Sequence, residues 1–331
     1  MVPTPSSIPP ARLHVVTGKG GTGKTTIAAA LALALARDGR RVLVVEVEAR
    51  QGLAQVFDTG HLPYTERRVA TAPGRGEVWA LAVDAEEALL DYLEMFYNLK
   101  RAGRALRRMG AIDFATTIAP GMRDVLLTGK VKEAVTRREH GHRVYDAVVL
   151  DAPPTGRIGR FLNATREAAK LAKVGPIKTQ SDGVATVLRS EQTAVHLVTL
   201  LEEMPVQETL DAGAELTGSG IPLGAVLVNQ VRAPLLPKAA IPAAARGEID
   251  TAEVSAGLRR AGLAVPPDLL QGLVTEAVEH AGRVVAERRL RRRLGQLGRP
   301  VLELPLLPDG VDVGGLYELA DILAEHAERR G

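Results

Sequence analysis

A glycine-rich turn between an apolar strand and a helix constrains this sequence more than any other feature. Residues 18–25 read GKGGTGKT; an apolar run precedes them at 12–17, and an Ala- and Leu-rich segment follows at 26–37. A second apolar run, RVLVVEV, occupies 41–47. Strand, turn, helix and strand within about 35 residues make a βαβ unit, which builds parallel sheets covered by helices on both faces.

The glycine-rich turn has the residues of a phosphate-binding loop. Gly18, Gly23, Lys24 and Thr25 match the pattern G-x-x-x-x-G-K-[ST] without a mismatch. Glycines let backbone N–H groups close around a polyphosphate, and the following helix N-terminus adds its positive end. Lys24 can reach the β- and γ-phosphates, and the hydroxyl of Thr25 can bind Mg²⁺.

We therefore predict that this loop binds the polyphosphate of a nucleotide together with Mg²⁺. The alternative, a glycine turn with a chance lysine, does not explain why the motif follows a buried strand and opens a helix, the context that it requires. The residues predicted to contact the nucleotide are Gly18, Gly20, Gly21, Thr22, Gly23, Lys24, Thr25 and Thr26.

Further apolar runs extend the predicted sheet. They lie at 144–150, 194–199, 225–229 and 301–304, with helical stretches between them. This pattern predicts an α/β fold: a P-loop NTPase with a mostly parallel sheet flanked by helices, plus helical insertions. We expect a flexible N-terminal tail over 1–11 and a single domain over 12–331. The expected variable helical regions and the insertion lie at about 85–135, about 170–190 and about 233–298.

An aspartate at the end of a predicted strand is the candidate carboxylate on the metal side of the loop. Asp151 directly follows the run at 144–150 and opens the segment DAPPTGRIGRFL. An acidic residue at the carboxyl end of a strand beside the phosphate loop is typical of Mg²⁺ sites in P-loop NTPases. Thr25 and Asp151 are therefore the predicted metal ligands, although an aspartate that ends a strand is often only a cap.

Four segments carry a resemblance to a known family. Lys19 directly follows the first glycine of the loop, as in the deviant Walker A loops of the ParA, MinD and ArsA class of ATPases. The segments at 151–162, 226–231 (VLVNQV) and 305–316 (PLLPDGVDVGGL) are similar to those of ArsA-type ATPases. That family includes the arsenite-pump ATPase and the ATPase that targets tail-anchored membrane proteins. The sequence most resembles the ArsA-like ATPases that actinobacteria carry as unequal pairs.

The resemblance implies roles for further residues. Lys19 would act on the nucleotide of a partner subunit across a dimer, so that nucleotide state and dimer geometry are coupled. Asn229 would read the adenine, and the segment that begins at Pro305 would cover it. The resemblance also implies a homodimer or, with the match to paired proteins, a heterodimer with a homologous ArsA-like subunit, and an unknown protein client.

The sequence departs from the family at one catalytic position and in its lack of cysteine. Glu48 stands where the family has the aspartate that orients the attacking water, so hydrolysis by this chain alone is in question. The chain contains no cysteine, which excludes thiolate sites for metalloids or zinc. The predicted catalytic residues are Lys19, Lys24, Glu48 and Asp151.

Three functions remain open from the sequence. The first is an ATP-hydrolysing dimeric switch of the ArsA type, and the second is a weakly hydrolysing regulatory or scaffold subunit of a heterodimer. The third, less favoured, is a ParA- or MinD-like positioning ATPase. A net charge of +3 and an aromatic content of 3% do not favour nucleic acid as a partner. The longest apolar run, at 27–36, is too short for a transmembrane segment, and with no export signal we expect a cytoplasmic protein.

Overall fold

A computed structural model describes residues 7–48, 50–97, 121–171, 176–308 and 310–327. The strands are β1 Leu13–Gly18, β2 Arg41–Glu46, β3 Arg67–Ala72, β4 Gly76–Ala82, β5 Arg138–Glu139, β6 His142–Arg143, β7 Ala147–Asp151, β8 Thr193–Thr199, β9 Leu223–Val231 and β10 Val301–Pro305. The helices are α1 Lys24–Leu35, α2 Gly52–Val56, α3 Ala85–Tyr97, α4 Met122–Thr136, α5 Thr155–Leu171, α6 Pro176–Leu188, α7 Glu203–Gly218, α8 Ile241–Ala244, α9 Thr251–Arg260, α10 Pro267–Leu294 and α11 Val313–Glu325.

Eight strands form one mixed sheet in the order β10-β9-β8-β1-β7-β2-β4-β3. All neighbouring pairs in it are parallel except β3 with β4. β5 and β6 form a separate two-residue antiparallel pair. The predicted α/β fold with a mostly parallel sheet is therefore confirmed, and β1, which leads into the glycine-rich turn, lies in the interior of the sheet between β7 and β8.

The sheet has a hydrophobic core on each face. On one face, α1 is buried along most of its length and packs against α11, whose Leu316, Leu319 and Leu323 point into the same core. On the other face, α4, α5, α6 and α7 cover the sheet. Because the central strands are enclosed on both sides, their sequences are continuous apolar runs rather than alternating ones.

One hairpin of the sheet was not predicted from the sequence. β3 and β4 pair antiparallel at the edge of the sheet, joined by a turn at Pro73–Arg75 in which Gly74 has a φ of 76°. β3 is an edge strand and most of its residues are exposed or half-buried, so it has no continuous apolar run.

Part of the segment expected as a flexible tail, residues 1–11, is described by the structure. Ile8 is 1% exposed, and its N–H donates to the carbonyl oxygen of His326 at 2.6 Å. It also forms a β-bridge with Ala327, just after α11, and its side chain belongs to the hydrophobic core beneath α1. Residues 1–6 lie outside the described part of the chain, as do 98–120 of the expected region 85–135 and 172–175 of the expected region 170–190.

The stretch expected as an insertion, about 233–298, contains α8, α9 and α10. α9 has no buried residue, and the buried residues of α10 all lie from His280 onward. Nε2 of His280 accepts a hydrogen bond from the N–H of Leu235 at 3.0 Å, which ties the loop before α8 to α10. Among the described residues, no helix has both the length and the apolar composition of a membrane span.

Candidate functional site

The candidate site lies at the carboxyl ends of β1, β7 and β2, where the loops leave three adjacent parallel strands. In open α/β sheets, ligands bind in the crevice at this edge. The turn from β1 to α1 occupies the centre of the edge, and β7 and β2 end beside it at Asp151 and Glu46. Sheet order therefore brings together segments that are far apart in the sequence.

Close contacts make the glycines of the loop necessary. A Cβ at Gly18 would lie 2.2 Å from the carbonyl oxygen of Val198 on β8. A Cβ at Gly23, whose φ is +83°, would lie 2.4 Å from Nδ2 of Asn229. Nδ2 of Asn229 in turn donates to the carbonyl oxygen of Thr22 at 2.9 Å. The loop therefore leaves no room for side chains at these positions, as expected of a backbone cradle for phosphate.

The tip of the loop is open, and Lys24 reaches back over it. Gly20 and Gly21 are exposed, with a φ of 87° at Gly21, whereas Thr26 is half-buried in the first turn of α1. Nζ of Lys24 donates to the carbonyl oxygen of Lys19 at 3.5 Å. Burial lowers the pKa of Lys24, and the nearby carboxylates of Asp151 and Glu48 oppose that shift. The cation is thus partly desolvated at the mouth of the loop, which strengthens its attraction for an anion.

Thr25 and Asp151 meet directly. The hydroxyl of Thr25 donates to Oδ2 of Asp151 at 2.7 Å, and Asp151 is 7% exposed. Burial raises the pKa of Asp151 to about 7; the Thr25 hydrogen bond and Lys24 lower it, while Glu46 and Glu48 raise it. A hydroxyl and a buried carboxylate beside a phosphate cradle are hard oxygen ligands, so these residues fit Mg²⁺.

Glu48 is held by arginines from two segments. Its Oε1 accepts from Nη1 of Arg157, in the first turn of α5, at 3.4 Å. Its Oε2 lies 3.9 Å from Nη2 of Arg50. The segment after β2 and the segment after β7 therefore meet through the Glu48–Arg157 pair. The sequence analysis named Glu48 as a candidate residue but not Arg157, because no local pattern links the two segments.

Lys19 is engaged within its own chain in this structure. Its Nζ donates to Oε1 of Glu208 at 2.6 Å, and Oε2 of Glu208 accepts from the hydroxyl of Thr155 at 3.4 Å. Glu208 lies on α7, which follows β8. The sequence analysis did not predict that Glu208 binds Lys19. No local motif links a glutamate on a helix to a lysine 189 residues earlier in the chain.

The two residues assigned to the adenine lie on the neighbouring strands β9 and β10. Asn229 contacts the loop as described, and Gln230 after it has a φ of 55°. Pro305, the last residue of β10, is in register with Val231, and the N–H of Leu306 donates to the carbonyl oxygen of Val231 at 2.9 Å. These contacts put Asn229 beside the loop at 18–25 and the Pro305 segment one strand further out.

Comparisons with known proteins show which proteins this chain is similar to. Residues 11–188, more than half of the chain, match the family described as "Anion-transporting ATPase". The chain is 56% identical to ATPase BagA of Mycobacterium tuberculosis over 326 residues, which cover 98% of this chain and 96% of that protein. It is 26% identical to the arsenical pump-driving ATPase of Acidiphilium multivorum over 91% of this chain and 53% of that protein. It is also 26% identical to ATPase GET3 of Kluyveromyces lactis over 65% of this chain and 71% of that protein.

Proposed function

The chain belongs to the ArsA family of anion-transporting ATPases, and from this premise we propose that it binds ATP with Mg²⁺ in the loop at 18–25 and hydrolyses it to ADP and phosphate. The observation that carries the proposal is the 2.7 Å hydrogen bond between Thr25 and Asp151. It joins a loop hydroxyl to a buried carboxylate from another strand, next to the cation of Lys24. This is the arrangement that phosphoryl transfer needs on the metal side of a nucleotide.

Each residue of the loop has a distinct part in this proposal. The backbone N–H groups of 18–25 and the N-terminus of α1 bind the phosphates. Lys24 would neutralise charge on the β- and γ-phosphates, and Thr25 and Asp151 would hold Mg²⁺. The metal, when bound with ATP, draws negative charge from the phosphate oxygens. Glu48 orients water, and Arg157 fixes the direction of the Glu48 carboxylate.

We further propose that two subunits form a nucleotide-driven switch. In the single chain, Lys19 is bound to Glu208. When two loops face each other, Lys19 leaves Glu208 and binds the nucleotide of the partner. The cost of this exchange is small, since a half-exposed ion pair contributes about 0–1 kcal/mol. The partner is a homologous subunit or a second copy of this chain. The switch acts on a protein client in the cytoplasm, where ATP is available.

ATP turnover by the purified chain tests the proposal. The wild type should release phosphate in the presence of Mg²⁺, and Lys24→Ala should lose about a hundredfold or more of that rate, because positioning and charge supply most of the catalysis. Glu48→Asp restores the residue type expected at this position and should not abolish turnover. A wild type that neither binds nor hydrolyses ATP would refute the proposal.

A second candidate is a weakly hydrolysing subunit that completes an active partner. The residue type at position 48 supports it, because a glutamate stands where the family has the aspartate that orients water, and its longer side chain places the carboxylate differently. In that case the wild type binds nucleotide without turnover, and Glu48→Asp gains activity. Turnover would then also appear on mixing with a homologous subunit. Full activity of the chain by itself would exclude this candidate.

A further inference from the structure

Glu46, the last residue of β2, is a buried carboxylate that the proposed function does not yet use. It is 2% exposed. Its Oε2 accepts from the N–H of Leu53, in the first turn of α2, at 3.0 Å. Its Oε1 is buried and has no hydrogen-bond partner among the described residues. Burying a carboxylate oxygen without a hydrogen-bond partner costs free energy of folding. Such an atom therefore indicates a ligand that would donate a hydrogen bond to it.

The free oxygen belongs to a side chain that lies next to Asp151. β2 and β7 are parallel neighbours, and Glu46 is in register with Asp151. Val42 and Val44 on β2 and Val149 on β7 point into the core beneath α1. Since side chains alternate along a strand, Glu46 and Asp151 both project to that same face, beside Thr25.

We infer that Glu46 is a positioning residue for the Mg²⁺ held by Thr25 and Asp151, and that its free oxygen accepts a hydrogen bond from a water molecule on the metal. This inference rests on the proposed function. Mg²⁺ sheds its water reluctantly and usually keeps several water molecules when it binds to protein carboxylates. A second carboxylate next to the ligating one orients such water and adds attraction for the cation. Without a cation, the two neighbouring carboxylates repel each other.

The second oxygen of Glu46 links the metal site to the segment that carries Glu48. Oε2 holds the first turn of α2 through Leu53. Gly52, the first residue of α2, lies against Thr25: a Cβ there would be 3.1 Å from Cγ2 of Thr25. Of the described residues, 47–48 and 50–51 lie between these two points of attachment. Glu46 is therefore the side chain that connects the proposed metal site to the start of α2, which follows the segment that contains Glu48.

The test is the Mg²⁺ dependence of nucleotide binding, measured with a fluorescent ADP analogue and no turnover. Glu46→Gln keeps an oxygen that can accept from Leu53 but removes the charge. We expect it to bind the analogue in EDTA as the wild type does, and to need about tenfold more Mg²⁺ for the half-maximal response, the usual effect of losing an outer-shell partner. Glu318→Gln, an exposed glutamate on α11, should leave the Mg²⁺ midpoint unchanged.

Two further measurements keep the inference separate from a purely structural role and from the proposed function. A structural role predicts weaker binding of the analogue in EDTA and a lower free energy of unfolding, with the Mg²⁺ midpoint unchanged. Glu46→Asp retains the charge and should give an intermediate midpoint. An unchanged midpoint in Glu46→Gln, with normal wild-type binding, overturns the inference alone. If the wild type does not bind the analogue at all, the proposed function fails as well.

Discussion

Replacing Asp151 by Asn should stabilise the protein when metal and nucleotide are absent. Asp151 is 7% exposed, and burial is the main reason why its pKa rises from 3.8 to about 7. The folded state therefore binds a proton more tightly than the unfolded chain does. As pH rises through this interval, the unfolded chain ionises first, and the free energy of unfolding falls. An asparagine does not ionise, but its side-chain oxygen can still accept the hydrogen bond from Thr25.

The size of the effect follows from the two pKa values. Each pH unit between them is worth about 1.4 kcal/mol, so the interval from 3.8 to about 7 corresponds to roughly 4 kcal/mol. Asp151→Asn should match the wild type near pH 4, gain stability as the pH rises, and reach its full advantage above about pH 7. That gain is a large part of the 5–15 kcal/mol that stabilises an ordinary domain, at about 0.1 kcal/mol per residue.

Urea unfolding in EDTA across this pH range measures the effect. Asp211→Asn, an exposed aspartate on α7, should stay within about 0.5 kcal/mol of the wild type at every pH. With Mg²⁺ and ADP present, the wild type should be more stable than Asp151→Asn, because it gains binding free energy that this variant lacks. A variant that is no more stable than the wild type at about pH 8 in EDTA would refute the argument that the buried carboxylate is destabilising.

Three further predictions test the loop, the centre of the sheet and the core. Gly23→Ala, at a φ of +83° and 2.4 Å from Nδ2 of Asn229, should weaken binding of a fluorescent ADP at least about tenfold; unchanged affinity would contradict the need for glycine. Burial and His14 hold the pKa of His196 well below its ordinary value of 6.5, so the wild type should lose stability as the pH falls below that value. In urea unfolding, His196→Gln should reduce the slope of the free energy of unfolding against pH by up to about 1.4 kcal/mol per pH unit. If the variant and the wild type have the same slope, other groups cause the acid dependence. Leu323 is 0% exposed, so Leu323→Ala should lower the free energy of unfolding by about 3 kcal/mol in the same assay. A decrease of less than about 1 kcal/mol would contradict the packing of this side chain in the core between α11 and α1.

The sequence determined the features that depend on neighbouring residues. The run at 18–25 predicts a glycine loop between β1 and α1, because its backbone conformation and the start of the helix are set locally by Gly18, Gly23 and Lys24. The continuous apolar runs predict a mostly parallel sheet, since only strands covered on both faces carry them. The edge strand β3 was not predicted, because most of its residues are exposed or half-buried and its sequence has no continuous apolar run.

Tertiary structure alone decided which distant side chains meet at the site. Thr25 and Asp151 are 126 residues apart, and Glu48 and Arg157 are 109 residues apart. Their contacts follow from the strand order, which sets β7 between β1 and β2 and aligns their carboxyl ends. Glu46 looked like part of an apolar strand in the sequence, and only its register with Asp151 gives it a place beside the predicted metal. Local sequence fixes backbone conformation, whereas the electrostatics of the site arise from the packing of segments that share no local pattern.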